Sequence, residues 1–250
     1  MPPSGRKSTY HPVRISQASS LLAIAIFCNG AKGHSALQLS RDLDCQYKTA
    51  FVLAHKLREA MGSHEPATVS GVVEIDGAYF GGYVKPANFK KDRIDRRKAE
   101  NQTGKRHVVI VVRERGGRTL TFVTKTEDAA VPHIHKMVEK GSVIHADEAS
   151  HWDKLAVRFE TKRINHTEAY SAGGACTNMA ESFFSRLRRM ELGTHHHISG
   201  AYLAAYAAEA DWREDNRRVS NGEQYLMVAA ASIKHSVSQK WAGYWQRSAA

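Results

Sequence analysis

The sequence predicts an α/β protein, a mixed sheet flanked by helices and preceded by a small all-α domain. Three observations carry this expectation. Apolar residues recur at helical spacing up to Met61, strand patterns dominate from Gly71 onward, and the breaker-rich stretch GSHEPATVSG (62–71) divides the two regions. With 250 residues and 42% hydrophobic content, the chain can build a real core: one large domain, or a main domain with an appendage.

Residues 1–14 read as a loose basic tail, and 15–62 as the all-α domain. ISQASSLLAIAIF is a first helix, stopped by Asn29 and Gly30. Ser35 opens SALQLSRDLD as an N-cap and makes a short second helix. A third follows, with Tyr47, Ala50, Phe51, Ala54 and Leu57 on one stripe. A short and a longer helix joined by a few polar residues describe a helix-turn-helix. Its last helix would expose Gln46, Lys48, Thr49, His55, Lys56 and Arg58, of which Lys48, Thr49, Lys56 and Arg58 are the candidate DNA contacts. The same pattern also fits an ordinary three-helix packing unit.

Beyond the linker, GVVEID, RHVVIVVRE and RTLTFVT read as strands, and Gly116-Gly117 marks a hairpin between the last two. Helical AAVPHIHKMVEK comes next, then the strand SVIHAD, a short helix near SHWDKLAV, and a strand at KRIN. Helices close the chain from Asn178 onward. This order argues a mixed sheet flanked by helices over 68–220, with 221–250 as a helical extension.

The formal charge is +11, which predicts attraction to a polyanion, nucleic acid ahead of an anionic membrane. Much of it sits between the first two strands. Residues 85–106 hold nine lysines and arginines against Asp92, Asp95 and Glu100, more than half of the chain's excess. Lys90, Lys91, Arg96, Arg97, Lys105 and Arg106 are the candidate phosphate contacts of this loop, against the alternative of a merely solvated surface. Cys28, Cys45 and Cys176 lie far apart, so neither a disulfide framework nor a cysteine zinc finger is expected, and a reducing cytoplasm fits. SSLLAIAIFCNG has an apolar run of about eight residues, too short for a bilayer. No export signal and no membrane partner are expected.

Asp76 closes the first strand, and Asp147 closes SVIHAD in the same way. Ligand crevices of open α/β sheets lie beyond the carboxyl ends of strands. If these strands are parallel neighbours, the two carboxylates meet and repel, and a divalent cation relieves the repulsion. Hard oxygen donors select Mg2+ or Mn2+. Aspartate also caps helices and turns, so the pair alone does not define a site. TNMAESFFSRLRRM adds to it. On a helical wheel Met179, Phe183, Leu187 and Met190 share one face, while Asn178, Glu181, Ser185 and Arg188 share a stripe opposite. Glu181 or Asn178 can complete the metal site and Arg188 can grip a phosphate. The alternative is a capping box, with Asn178 as N-cap and Glu181 three residues on. Glu74 shares Asp76's sheet face and either supports the metal or pairs with a nearby Lys or Arg.

At this point the chain resembles the bacterial insertion-sequence transposases of the DDE superfamily, ISXO-like branch. The matching stretches are VVEIDGAYFGG, GKRHVVIVVRERGGR, HADEASHW, INHTEAY, TNMAESFFSRLRRMELGTHHHIS and YAAEADWREDNRR, roughly residues 68–220. The upstream QLSRDL segment is similar as well. The resemblance implies a ribonuclease H-like fold, magnesium-dependent cleavage of double-stranded DNA at element ends, and strand transfer into target DNA by a homo-oligomer in a bacterial cytoplasm. The family's two aspartates fall on Asp76 and Asp147, and its Asn and Lys positions fall on Asn178 and Arg188, so the lysine is replaced. Asn178 follows Asp147 by 31 residues and Glu181 follows it by 34, the second spacing resembling that to the glutamate of many DDE transposases. Members commonly carry a cysteine-ligated zinc ribbon ahead of the helix-turn-helix, which three dispersed cysteines cannot form. The other readings are a truncated or inactive copy that only binds DNA, and a metal-dependent nuclease without strand transfer.

Overall fold

The run Val108–Val112 is fully buried at every position, as in a strand covered on both faces. It belongs to β2 (His107–Glu114) of a five-stranded sheet in the order β3-β2-β1-β4-β5. The others are β1 (Val72–Phe80), β3 (Thr119–Thr124), β4 (Val143–Asp147) and β5 (Glu160–Ile164). β1, β2 and β3 pair antiparallel, whereas β4 runs parallel to both β1 and β5. The sheet is therefore mixed, as its pattern predicts. This computed structural model describes residues 16–62, 68–82, 85–95, 98–101, 103–164, 171–172 and 175–247. The basic tail, Arg96, Arg97 and most of INHTEAY lie outside the described residues.

Each sheet face has its own core. Val73, Ile75, Ile110, Val112 and Ile144 pack on Ile134 of α4 (Val131–Met137) and on Trp152 and Leu155 of a 3₁₀ segment, Ser150–Val157. On the other face, Ala78, Phe80, Val109 and Val111 lie under α5 (Asn178–Met190) and α6 (Leu203–Asp215). A short hairpin of β6 (Ser171–Ala172) and β7 (Ala175–Cys176) leads into α5. Phe183 and Leu187, the predicted apolar stripe of α5, are buried there, each stabilising by about 2 kcal/mol. Strand alternation turns Glu74, Asp76, Ala78 and Phe80 toward the α5 side.

The N-terminal helices are α1 (Gln17–Asn29), α2 (Ala36–Asp42) and α3 (Tyr47–Gly62). Ser16 and Ser35 cap the first two, accepting from the backbone N–H of Ser19 and Gln38 at 3.0 Å each. Their core of Phe27, Leu39, Ala50, Ala54 and Leu57 is completed by Trp212 of α6 and Val228 of α7 (Asn221–Lys234). A last turn, α8 (Tyr244–Arg247), places Trp245 beside Lys48. No helix among the described residues is long and apolar enough to cross a membrane.

Packing against α6 overturns the expected exposure of two α3 residues. His55 and Arg58 are buried at 0% and 1% exposure. Arg58 Nε donates to Glu209 Oε2 at 2.6 Å, Arg213 Nε donates to Glu209 Oε1 at 2.8 Å, and Trp241 stacks on His55 with ring centroids 4.1 Å apart. Arg58 is thus not available to DNA. Helical periodicity locates the apolar stripe of α3, but a polar residue buried against a distant ion partner carries no local mark.

Candidate active site

β1 does not end at Asp76. It runs on to Phe80, because β2 stays paired along it from Val73 to Phe80. β4, in contrast, pairs with Val72, Val73 and Glu74 and stops at Asp147. The same register carried two residues further sets Asp76 opposite Asp147, on the sheet face that α5 covers. The expected adjacency of the two carboxylates therefore holds, at the point where β1 and β4 part. Asp76 Oδ1 accepts from Gly77 N–H at 2.7 Å, and Asp147 Oδ1 from Ala149 N–H at 3.2 Å.

What aims α5 at this point is Glu74. Its carboxylate is fully buried and Oε2 accepts from the backbone N–H groups of Met179 and Ala180, at 2.8 and 3.2 Å. These are donors left unpaired at a helix start, where negative charge is also favoured. Glu74 Oε1 accepts from Arg115 Nε at 2.9 Å, while Arg115 Nη2 reaches the Cys176 carbonyl at 3.1 Å. His145 Nδ1 accepts from Cys176 N–H at 3.1 Å, and burial with the nearby Arg115 charge lowers its pKa, keeping it neutral. The capping-box alternative for α5 is thereby corrected. Thr177 occupies the N-cap position but its side chain does not cap the helix, Asn178 is the first helical residue, and the cap comes from strand β1. Glu74 is the Arg-paired residue of the two readings, and its carboxylate is committed to the helix.

Asn178 is exposed at the head of α5, and Glu181 is half-buried one turn on. The pKa of Asp76 is pushed up to about 7, first by burial and then by the charges of Asp147, Glu127 and Glu181, against an opposing effect of the Gly77 N–H. Four carboxylates thus share one neighbourhood. Glu127 is the member that sequence patterning does not single out. It approaches across the backbone of Gly77, where an added Cβ would stand 2.6 Å from its Oε1, and His151 Nε2 lies 3.4 Å from its Oε2. Burial and the Asp147 charge raise its pKa, partly offset by Arg106. The signal available in the sequence is the glycine directly after Asp76, in the middle of a strand.

Among the described residues, no three His, Cys, Asp or Glu side chains stand in a geometry that would hold a metal ion outright. The donor set nevertheless suits a hard dication. It is all oxygen, it is crowded with like charge, and its most buried member is driven toward neutrality for lack of a counter-charge. Arg188 stands further along the strand: its guanidinium lies over the ring of Phe80 at 5.5 Å, four residues beyond Asp76 on the same strand face.

The candidate DNA contacts are dispersed. Lys48 and Lys56 are exposed on α3 and Thr49 is half-buried. Lys90, Lys91 and Lys105 are exposed in the loop between β1 and β2, and Arg106 lies over the Tyr79 ring at 4.0 Å, beside the carboxylates.

Compared with curated proteins, the chain finds no match. Residues 68–215, which take in the whole sheet, α5 and α6, match the family described as the ISXO2-like transposase domain. That span carries Asp76, Glu127, Asp147, Asn178 and Glu181 and makes up more than half of the chain, so this protein belongs to the ISXO2-like transposase family.

Proposed function

We propose that this chain is the transposase of an insertion sequence. It cuts DNA at the element's ends and joins the freed strands to target DNA, with a ribonuclease H-like domain over 68–220 and a helix-turn-helix over 15–62. The observation that carries this reading is the adjacency of Asp76 and Asp147 on parallel neighbouring strands, beneath a helix from which the Glu181 charge acts on Asp76.

Cleavage adds water to a backbone phosphorus and releases a 3′-hydroxyl. Transfer lets that hydroxyl attack a target phosphodiester, so one P–O bond is exchanged for another. Magnesium or manganese, when bound, supplies positive charge at the attacking and departing oxygens. Asp76, Asp147 and Glu181 would hold it, with Asn178 as a neutral donor beside them. Burial and the neighbouring carboxylates hold the Asp76 carboxyl up at about 7, so it would release its proton on becoming an anionic donor. Glu74, Arg115 and His145 hold α5 so that the donors from strand and helix face one another. Arg188 grips a phosphate of the substrate strand. Lys48, Thr49 and Lys56 contact the duplex from α3, and Lys90, Lys91, Lys105 and Arg106 follow its backbone. The working form is a homo-oligomer on DNA in a bacterial cytoplasm.

A strand-transfer assay with precleaved element ends and Mg2+ tests the reading. Joined product from the native chain, lost in Asp76→Asn and in Asp147→Asn while DNA binding persists, is the expected result. Cleavage without joining would leave a nuclease, and binding without either reaction would leave a DNA-binding protein.

A further inference from the structure

A cavity of about 270 Å³ lies away from the carboxylates, between the α1–α2 connection, the second half of α5 and the second half of α6. Its lining includes Lys32, Arg186, Arg189, Arg213 and Arg217, and Glu214 is its one carboxylate among the described residues. Glu214 is already committed. Arg113 Nη2 donates to Oε1 and Arg186 Nη1 to Oε2, both at 2.7 Å, and Arg217 Nε stands 3.5 Å from Oε1. Arg213 is likewise consumed, by Glu209 and by the carbonyl of Phe27 at 2.8 Å.

The guanidiniums form a gradient from inside to outside. Arg113 and Arg213 are nearly buried, with side chains 8% and 10% exposed, whereas Arg186 and Arg217 are 39% and 42% exposed. A guanidinium has five N–H donors. Arg113, Arg186 and Arg217 share one buried carboxylate that cannot neutralise all three, and Arg186 and Arg217 line the groove with their side chains about two-fifths exposed. Lys32 and Arg189 are exposed at its rim, and the only hydrogen bond found for the Arg189 side chain among the described residues runs from Nε to the Ser185 carbonyl of its own helix. The groove thus presents forked, anchored cations with unused donors, and such an array fits phosphate oxygens.

We propose that this groove is a binding site for the phosphodiester backbone of duplex DNA. This inference rests on the transposase reading and adds to it a surface distinct from the proposed α3 contacts (Lys48, Thr49, Lys56) and from the loop at 85–106. α5 carries both functions: Arg186 and Arg189 lie five and eight residues beyond Glu181, about 7 and 12 Å along the axis. One helix therefore links DNA held here to the carboxylates.

The test is duplex binding by fluorescence anisotropy across a KCl series, with EDTA present so that catalysis plays no part. Lys32→Ala, Arg189→Ala and Arg217→Ala are combined in one variant. A control combines Lys136→Ala, Lys140→Ala and Arg158→Ala, which are exposed on the opposite side of the sheet and remove equal charge. The groove variant is expected to flatten the log–log salt slope by about 2.7, about 0.9 for each phosphate it ceases to neutralise, with the control near native. Arg189→Ala alone, which breaks no ion pair among the described residues, is expected to flatten it by about 0.9. Equal slopes in groove variant and control overturn the groove while leaving the transposase reading intact. A native chain that binds no duplex overturns both.

Discussion

At the scale of single residues, the contest is between Asn178 and Glu181 as the third donor. The Glu181 charge acts on Asp76 from a half-buried position, while Asn178 stands exposed at the helix start. An amide is also the weaker partner for a hard dication. Glu181→Gln is therefore expected to lower strand transfer about 100-fold and Asn178→Ala about 10-fold, with added Mg2+ partly rescuing the former. The reverse ranking in the same assay would make the asparagine the donor. Gly77 offers a separate handle on Glu127. The three atoms nearest an alanine Cβ there are Oε1, Cγ and Cδ of the Glu127 side chain, which can swing aside, so the fold is expected to lose no more than about 1 kcal/mol. The displaced carboxylate should lower strand transfer about tenfold, as Glu127→Gln should. Native activity in both variants would remove Glu127 from the site.

At the scale of elements, the contact between β1 and α5 carries the geometry of the site. Glu74 is buried with a charge that Arg115 and two helix N–H groups satisfy. Glu74→Ala leaves Arg115 without its carboxylate and opens the first turn of α5, for an expected loss of about 3 kcal/mol. Hydrogen exchange reads this locally: the amides of Met179 and Ala180 should lose protection ahead of those in β2. Unchanged exchange at those two amides would mean that α5 is held by its apolar face alone. Asp147 also shows how an element boundary makes a site. β4 ends where β1 continues, and the parting of the two strands leaves room beside Asp76 that an uninterrupted sheet would fill.

At the scale of the whole molecule, two histidines tie stability to pH through the junction of α3, α6 and the C-terminal segment. Burial lowers the pKa of His55 to about 3, helped by the charges of Arg58 and Lys240. Burial likewise lowers His195 to about 4, with Glu209 opposing. Below pH 6.5 the unfolded chain takes up protons that the folded chain refuses, so stability is full above 6.5 and falls as pH drops toward these values. The slope is about 1.4 kcal/mol per pH unit for each histidine. Neither ring nitrogen of His55 has a hydrogen-bond partner among the described residues, and its neighbours Phe51, Tyr202 and Trp241 are aromatic. His55→Phe should keep the stability at pH 7 and flatten the acid slope by one proton in denaturant titrations. An unaltered slope would show that His55 is protonated in the fold.

The sequence by itself determined the succession of helices and strands, the cap at Ser35, and the common face of Glu74 and Asp76. Each of these follows from periodicity or from groups within a few residues of one another. It also marked Asp76 and Asp147, because a carboxylate closing an apolar run is visible without knowing its neighbours. Tertiary structure alone decided that these two strands are parallel neighbours, that Glu74 caps α5, that Glu127 crosses Gly77, and that Arg58 and His55 are inside. Glu74 meets Met179 across 105 residues, and Arg58 meets Glu209 across 151. A buried charge is tolerated only with its partner in place. Such a residue reads as exposed in sequence until the fold supplies the opposite charge.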